Sequence, residues 1–453
     1  MKRLIFILAI AVLVFPLAAQ ASPDAGGGFS AALLLGSDLL PSASDPTKLE
    51  SWSKLGLQPD LSLGKFGIGL DLTFRFQLYP SPNTPLQIYE PDWIPQAGQS
   101  VFDVYLPKIM YLRYGLRGID PFYIKLGSID DFSLGNGLIV SNYANTSFLP
   151  GLRIFGLQFG LDGLVFKFPY MGIEALAGNL ARLDVIGGRV FVRPLAFLGK
   201  SLPAKLQVGL TGVMDRDPLA YTDAADLALY SASEAIYVIG ADLTLPVLSS
   251  KAVSLTAFVE GARQTSGALG AITGINGRLL GFIDYGAQLR ALQGGFIPAY
   301  FDTNYDFYRD ERFNFVKTLA SPGDFNLGWL ASLGFTFFKE ALEFSVQLDG
   351  PFSPIPSPPG NEDSGAYPHL KGGFVLAEGL LPGIFLTAGY EKYFIGKKTT
   401  FFKDLLDPED AVIGMSINYK TGATVLTLGY VYSWDPTTKD FDVSSSLSAS
   451  VRF

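Results

Sequence analysis

Apolar and polar residues alternate along this chain from about residue 66 to its end. In the last thirteen residues, Phe441, Val443, Ser445, Leu447, Ala449, Val451 and Phe453 share one parity. Asp442, Ser444, Ser446, Ser448, Ser450 and Arg452 share the other. Side chains alternate faces along a strand, so this stretch has one greasy face and one wet face. The same pattern occupies residues 67–78. There Ile68, Leu70, Leu72, Phe74, Phe76 and Leu78 oppose Gly67, Gly69, Asp71, Thr73, Arg75 and Gln77. It returns at 110–117, 155–162, 327–337, 342–349, 413–419 and 426–434. Burying Asp71 and Arg75 in a soluble core would be costly, whereas lining a wet lumen costs little. Most runs are about 10 residues long, which suits a tilted strand crossing a bilayer.

The connections sort by length. Short turns are expected at 118–120, 162–163, 339–340, 380–382 and 421–422. Long, polar or proline-rich ones are expected at 80–107, 129–152, 216–234, 294–324, 351–367 and 394–410. Counted back from the last strand, every long connection falls on the rim opposite the C-terminus. The pattern predicts an all-β fold: a transmembrane antiparallel up-and-down β-barrel of about 18 strands, with 14–18 open. Residues 66–453 form the barrel. Residues 22–65 are irregular, and either a plug or a first strand fits them.

Residues 1–21 read as a cleaved signal peptide. Lys2 and Arg3 precede an apolar run from Leu4 to Phe15, and Ala19-Gln20-Ala21 offers small residues for cleavage. The run is shorter than the roughly 20 residues that a membrane helix needs. Composition narrows the class further. The chain is 48% hydrophobic and only 17% charged, with 36 Phe, 21 Tyr and 50 Gly. An exported chain this apolar, without a membrane helix, hides its surface best in a barrel, where backbone groups pair between strands. Without cysteine, disulfides and thiolate metal sites are excluded. The formal charge is −8, and removal of Lys2 and Arg3 leaves −10, which disfavours nucleic acid as a partner.

Candidate chemistry lies on the polar parity. Asp71, Arg75, Arg113, Arg117, Arg189, Arg193, Arg278, Arg290, Glu343 and Arg452 are candidate lumen-lining residues. Either a scaffold of ion pairs or a charge-selective pathway accounts for them. Asp130 and Asp131, beside Gly135-Asn136-Gly137, form a candidate constriction loop. The aromatic and charged stretch 296–312 suits either a ligand-contacting loop or a folded lid. His369 is the single histidine, and no Gly-x-Ser-x-Gly elbow accompanies it, so an enzyme is not expected. No cofactor or metal is expected either.

On the terminal Phe453, the amphipathic strands and the signal segment, the chain resembles the porin-like class of Gram-negative outer-membrane β-barrels. The resemblance covers most of 66–453. The 129–152 segment is similar to uncharacterised barrels of spirochaetes. In length and in a possible N-terminal plug the chain is also similar to long-chain fatty-acid transporters, although their Asn-Pro-Ala signature is missing. The resemblance implies residence in the bacterial outer membrane among its lipids, with long loops extracellular and the C-terminus periplasmic. It implies recognition of the C-terminal strand by periplasmic chaperones and the barrel-assembly machinery. The expected function is a channel passing small polar solutes through a charged lumen. A plugged transporter of hydrophobic compounds and a surface adhesin or structural barrel are the alternatives.

Overall fold

The computed structural model describes residues 28–452 apart from 42–48, most of 223–232, 356–365, 436–439 and a few shorter loop stretches. The expected signal segment and Phe453 lie outside the described residues, as does much of the proline-rich loop.

One antiparallel sheet of 22 strand segments holds most of the described chain. Gly28–Pro41 pairs with Leu49–Leu63. The latter pairs with both Phe66–Leu70 and Leu72–Ser81, one strand interrupted at Asp71. Thr84–Ile88 and Ile109–Tyr114 also share a single position, separated by an excursion through 89–108. Phe122–Gly127, Gly156–Asp162, Met171–Ala177, Val185–Val192 and Gln207–Asp215 follow in order, each beside its predecessor. Ile236–Ser249, Ser254–Gln264, Leu269–Leu279 and Ile283–Gln293 continue the wall. Phe325–Phe337, Leu342–Pro351, His369–Leu381, Ile384–Lys392, Ala411–Thr421, Thr424–Asp435 and Asp440–Arg452 complete it.

Merging the two interrupted strands leaves 20 positions around the wall, 18 of them from residue 66 onward. The two additional positions come from the irregular segment, residues 28–63 of which are strand on both sides of 42–48. Pro59 hides this in the sequence. It lacks a ladder donor and argues against a strand, yet here it pairs opposite Ala31. The first and last strands meet along a short seam. Ala32–Leu35 pair with Ala449–Arg452, against fourteen paired residues between the first strand and the second.

Although 265–268 lies on the opposite rim, most of the shortest connections lie on one rim, at 64–65, 250–253, 280–282, 338–341, 382–383 and 422–423. Gly64, Gly383 and Gly422 take positive φ there, of 59°, 68° and 59°. Residues 193–206, with two 3-10 turns, are the longest connection described on this rim. The opposite rim carries 128–155, 216–235, 294–324, 352–368 and 393–410. The expected 80–107 loop is shorter than the sequence suggests, because Thr84–Ile88 has joined the wall.

The surface is inverted relative to that of a soluble protein. Leu210, Leu243, Val259, Leu289 and Leu327 are 67%, 47%, 49%, 59% and 63% exposed. On the other parity Arg189, Asp242 and Glu260 are 5%, 3% and 1% exposed. A wall whose outward residues are apolar is suited to hydrocarbon outside. Among the described residues no helix is long and apolar enough to cross a membrane.

Candidate functional site

The interior is built differently on its two sides. Strand Phe122–Gly127 ends where Gly127 adopts φ 107°, and a Cβ there would sit 2.4 Å from the Met110 carbonyl oxygen. Beyond this point the chain turns into the barrel. Phe132–Leu134 and Val140–Tyr143 form a small hairpin separate from the wall. Phe132, Leu134, Leu138, Ile139, Val140 and Tyr143 are at most 2% exposed. They pack in one cluster with inward wall residues Leu176, Val185, Val213, Val238, Phe258 and Ile272. The wall makes room with glycine. A Cβ on Gly156 would meet Asn145 Nδ2 at 2.7 Å, one on Gly240 would meet Ile139 Cδ1 at 2.9 Å, and one on Gly270 would meet Phe296 Cε1 at 2.4 Å.

Asn145 pins the root of this plug. Its Oδ1 accepts from Ile129 N at 2.7 Å, and its Nδ2 donates to Gly178 O at 2.8 Å, with longer bonds to Ile154 O and Gly127 O. The tip is held by the wall. Asn136 N donates to Glu260 Oε2 at 2.7 Å, and Thr244 Oγ1 donates to Asn136 Oδ1 at 3.1 Å.

The 294–324 connection also enters the barrel and packs onto the plug. Ala299 N donates to Leu138 O, Phe301 N to Ile139 O and Ser141 N to Phe301 O, at 2.8, 3.1 and 3.0 Å. Val140 and Phe301 thereby form a parallel bridge. Tyr300, Phe301 and Tyr305 are fully buried. Helix Arg309–Thr318 follows, and its first residue is the anchor. Arg309 donates to Asp215 Oδ2 and Oδ1 at 2.5 and 2.6 Å and to Asp184 Oδ2 at 3.0 Å. Tyr305 OH donates to Asp215 Oδ2 at 2.6 Å. With the guanidinium fork so engaged, Asp306 stands 3.8 Å from Arg309, and its Oδ2 has no hydrogen-bond partner among the described residues. Burial, reinforced by Asp184 and Asp215 and opposed by Arg309, pushes the Asp306 carboxyl up to about 7. Burial and the neighbouring Asp215 also push the Tyr305 phenol well above its ordinary value.

On the other side, inward polar residues keep solvent access. Glu343, Gln347, Lys371, Thr387, Ser416, Asn418 and Thr427 are partly exposed, and Ser345 is exposed. His369 sits near the long-loop rim. Its Nε2 lies 3.0 Å from Glu391 Oε1, its Nδ1 lies 3.4 Å from Asp349 Oδ1, and its ring stacks on Tyr393 at 4.5 Å. With both ring nitrogens engaged by carboxylates, neither is free to activate a nucleophile.

The sequence-predicted site residues are spread around the wall and do not converge. Asp71 pairs with Arg153 at 2.8 Å, and Arg75 with Asp92 at 2.5 Å. Arg189 holds Asp242 through two bonds of 2.9 and 2.7 Å, with Glu174 at 3.4 Å. Arg193 pairs with Asp162, Arg278 with Asp284 and Arg290 with Asp349, at 2.5, 2.7 and 3.2 Å. Arg113 donates to Ser62 Oγ and the Lys65 carbonyl oxygen. Arg117 donates to the carbonyl oxygens of Asp131 and Ser133 and lies over the Phe132 ring. Asp130 accepts from Lys125 at 2.7 Å. Glu343 lies opposite Thr336, and the Arg452 backbone pairs with Ala32 at the seam. Asn145, Glu260 and Arg309 carry the interior and escaped sequence reasoning as anchors. Arg309 lies 94 residues from Asp215 and 125 from Asp184. Glycine at inward parity, as at Gly156, Gly240 and Gly270, was the signal that something packs there.

No family model matches the chain, and no curated protein matches it. Solved structures similar to it are outer-membrane barrels. OccK3 (OpdO) of Pseudomonas aeruginosa is 12% identical with a TM-score of 0.39, covering 94% of this chain and 95% of that one. OpdL of the same organism is 12% identical with a TM-score of 0.34, covering 95% and 99%. Wzi of Escherichia coli, a carbohydrate-binding β-barrel involved in group 1 capsule assembly, is 12% identical with a TM-score of 0.33, covering 98% and 88%. At such identity the likeness concerns fold alone.

Proposed function

We propose that this chain is an outer-membrane channel through which small polar solutes diffuse along the side of the barrel that the plug leaves unfilled. The observation that carries this is the contrast in inward residues. Val213, Val238, Glu260 and Ile272 are 3% exposed or less beneath the plug, while Glu343, Gln347, Lys371, Ser416 and Asn418 keep solvent access across from it. A wide barrel leaves an aqueous path unless something fills it. Here the plug cluster packs against one side of the wall. Ion pairs such as Arg290–Asp349 line the path and shape its charge. On this reading the long loops are extracellular, the C-terminus is periplasmic, and the terminal strand is the handle for periplasmic chaperones and the assembly machinery. The chain does no covalent chemistry.

Purified, folded protein in planar bilayers is expected to give stable conductance steps. A silent bilayer from protein whose folding has been verified would overturn the channel. Co-purified lipid inside the barrel would instead favour a carrier of hydrophobic compounds.

A further inference from the structure

The connection 393–410 starts at the mouth, where Tyr393 stacks on His369, and its later part leans over the outside of the wall. In strand Ile384–Lys392, Glu391 faces inward, where it meets His369. Tyr390 and Lys392 therefore face outward, on the parity of Ile384, which is 39% exposed. Tyr390 OH donates to the Leu405 carbonyl oxygen at 3.3 Å. Lys392 Nζ donates to the Glu409 carbonyl oxygen and stands 3.8 Å from Asp404. Two outward-facing side chains thus hold the short helix Phe401–Leu405 against the outer face. The loop is folded rather than loose, since Gly396 N and Lys398 N both donate to Asp404 Oδ2, at 2.8 and 3.3 Å.

Tyr390 lies opposite Ile413, which lies opposite Tyr432, so the helix rests just beyond a row that includes outward aromatic residues. Aromatic rows of this kind mark the membrane–water interface. Phe402 and Leu406 are spaced i, i+4 and share a side. They are 76% and 84% exposed, and Leu406 is the most exposed large apolar side chain described. We propose that Phe402 and Leu406 insert into the lipid at the headgroup–acyl boundary, so that this loop is a membrane-interface anchor on the long-loop rim. An apolar helical face held at interfacial depth binds lipid in this way. The proposal needs the barrel to sit in a membrane but does not depend on solute passage.

The chain has no cysteine, so Leu406→Cys and Phe402→Cys each accept a single polarity-sensitive fluorophore. The labelled proteins are reconstituted in phosphatidylcholine vesicles, with Ser345→Cys, exposed on the inward parity, as the aqueous control. At both positions 402 and 406, nitroxide-bearing lipid should quench several-fold more than aqueous iodide does, with blue-shifted emission and the reverse ranking at 345. Iodide quenching at either position 402 or position 406 without lipid quenching would overturn the anchor. Conductance of the same labelled proteins tests the channel separately, so failure of one reading is distinguishable from failure of the other.

Discussion

Two sides of one barrel wall obey the same alternation and enclose different interiors. Along Gly156–Asp162, Gln207–Asp215 and Ser254–Gln264 most inward positions are glycine or buried side chains, apolar Val213, Phe258 and Ala262 and polar Gln158, Thr211, Asp215, Glu260 and Gln264, and the plug packs on several of them. Along Leu342–Pro351, Ile384–Lys392 and Ala411–Thr421 inward Glu343, Gln347, Thr387, Ser416 and Asn418 keep solvent access, while Glu391 is buried against His369. The outward faces of both sides are apolar. The lipid side of a barrel wall is thus set by one requirement everywhere, while its inner side adapts to whatever it faces.

The strongest test of this contrast removes the anchor of the filled side. Arg309→Leu leaves Asp184 and Asp215 buried without their cation, and stripping one partner from such a group costs about 3–5 kcal/mol. The connection 294–324 should undock and single-channel conductance should rise. The expected readouts are a lower denaturant midpoint and a larger unit current; an unchanged current would mean that the plug holds without it.

Steric tests come next. Gly156→Ala places a Cβ against Asn145 Nδ2 and the Ala177 carbonyl oxygen, and overpacking of this kind costs about 1–3 kcal/mol. Gly36→Ala, with nothing within 4 Å of the new atom, should leave the melting temperature unchanged. Equal melting temperatures for the two variants would erase the distinction between the sides. Asn145→Ala leaves the Ile129 N–H and the Gly178 carbonyl buried without their partner, at about 1–3 kcal/mol. Faster amide exchange across 128–145 would report it.

A pH test bears on the filled side alone. The Asp306 carboxyl is raised by burial to about 7, so the docked state holds a proton that the undocked state has lost. Its contribution is full below the ordinary carboxylate range and is lost as pH rises from about 4 to about 7, at up to ~1.4 kcal/mol per pH unit. Above that it is flat. Asp306→Asn should remove this slope from the denaturant midpoint measured between pH 4 and 8; an unchanged slope would assign it elsewhere. The smallest effect belongs to Arg113 on strand Ile109–Tyr114. Arg113→Ala should move the reversal potential in a salt gradient by a few millivolts toward cations, with no loss of stability, because Arg113 contacts only Ser62 and the Lys65 carbonyl among the described hydrogen bonds. A shift toward anions, or none, would remove Arg113 from the pathway.

The wall was legible because its signal is local. A period of two residues shows which side chains share a face, and an apolar face marks the lipid side. Connection lengths then sorted the rims, with 128–155 and 294–324 on one and 338–341 and 422–423 on the other. Where punctuation was ambiguous, as at Pro59, the segment 22–65 was left open as a plug or a first strand, and residues 28–63 hold two strands. Parity places Asp242 and Glu260 inside but says nothing of what they meet there. Contacts between residues far apart in sequence decided that: Glu260 with Asn136, Arg309 with Asp215, Phe301 with Ile139. The sequence by itself determined the barrel, its lipid face and its two rims, because alternation and turn length are short-range. Only the tertiary structure decided which side of the interior is filled, because that depends on long-range packing of plug against wall.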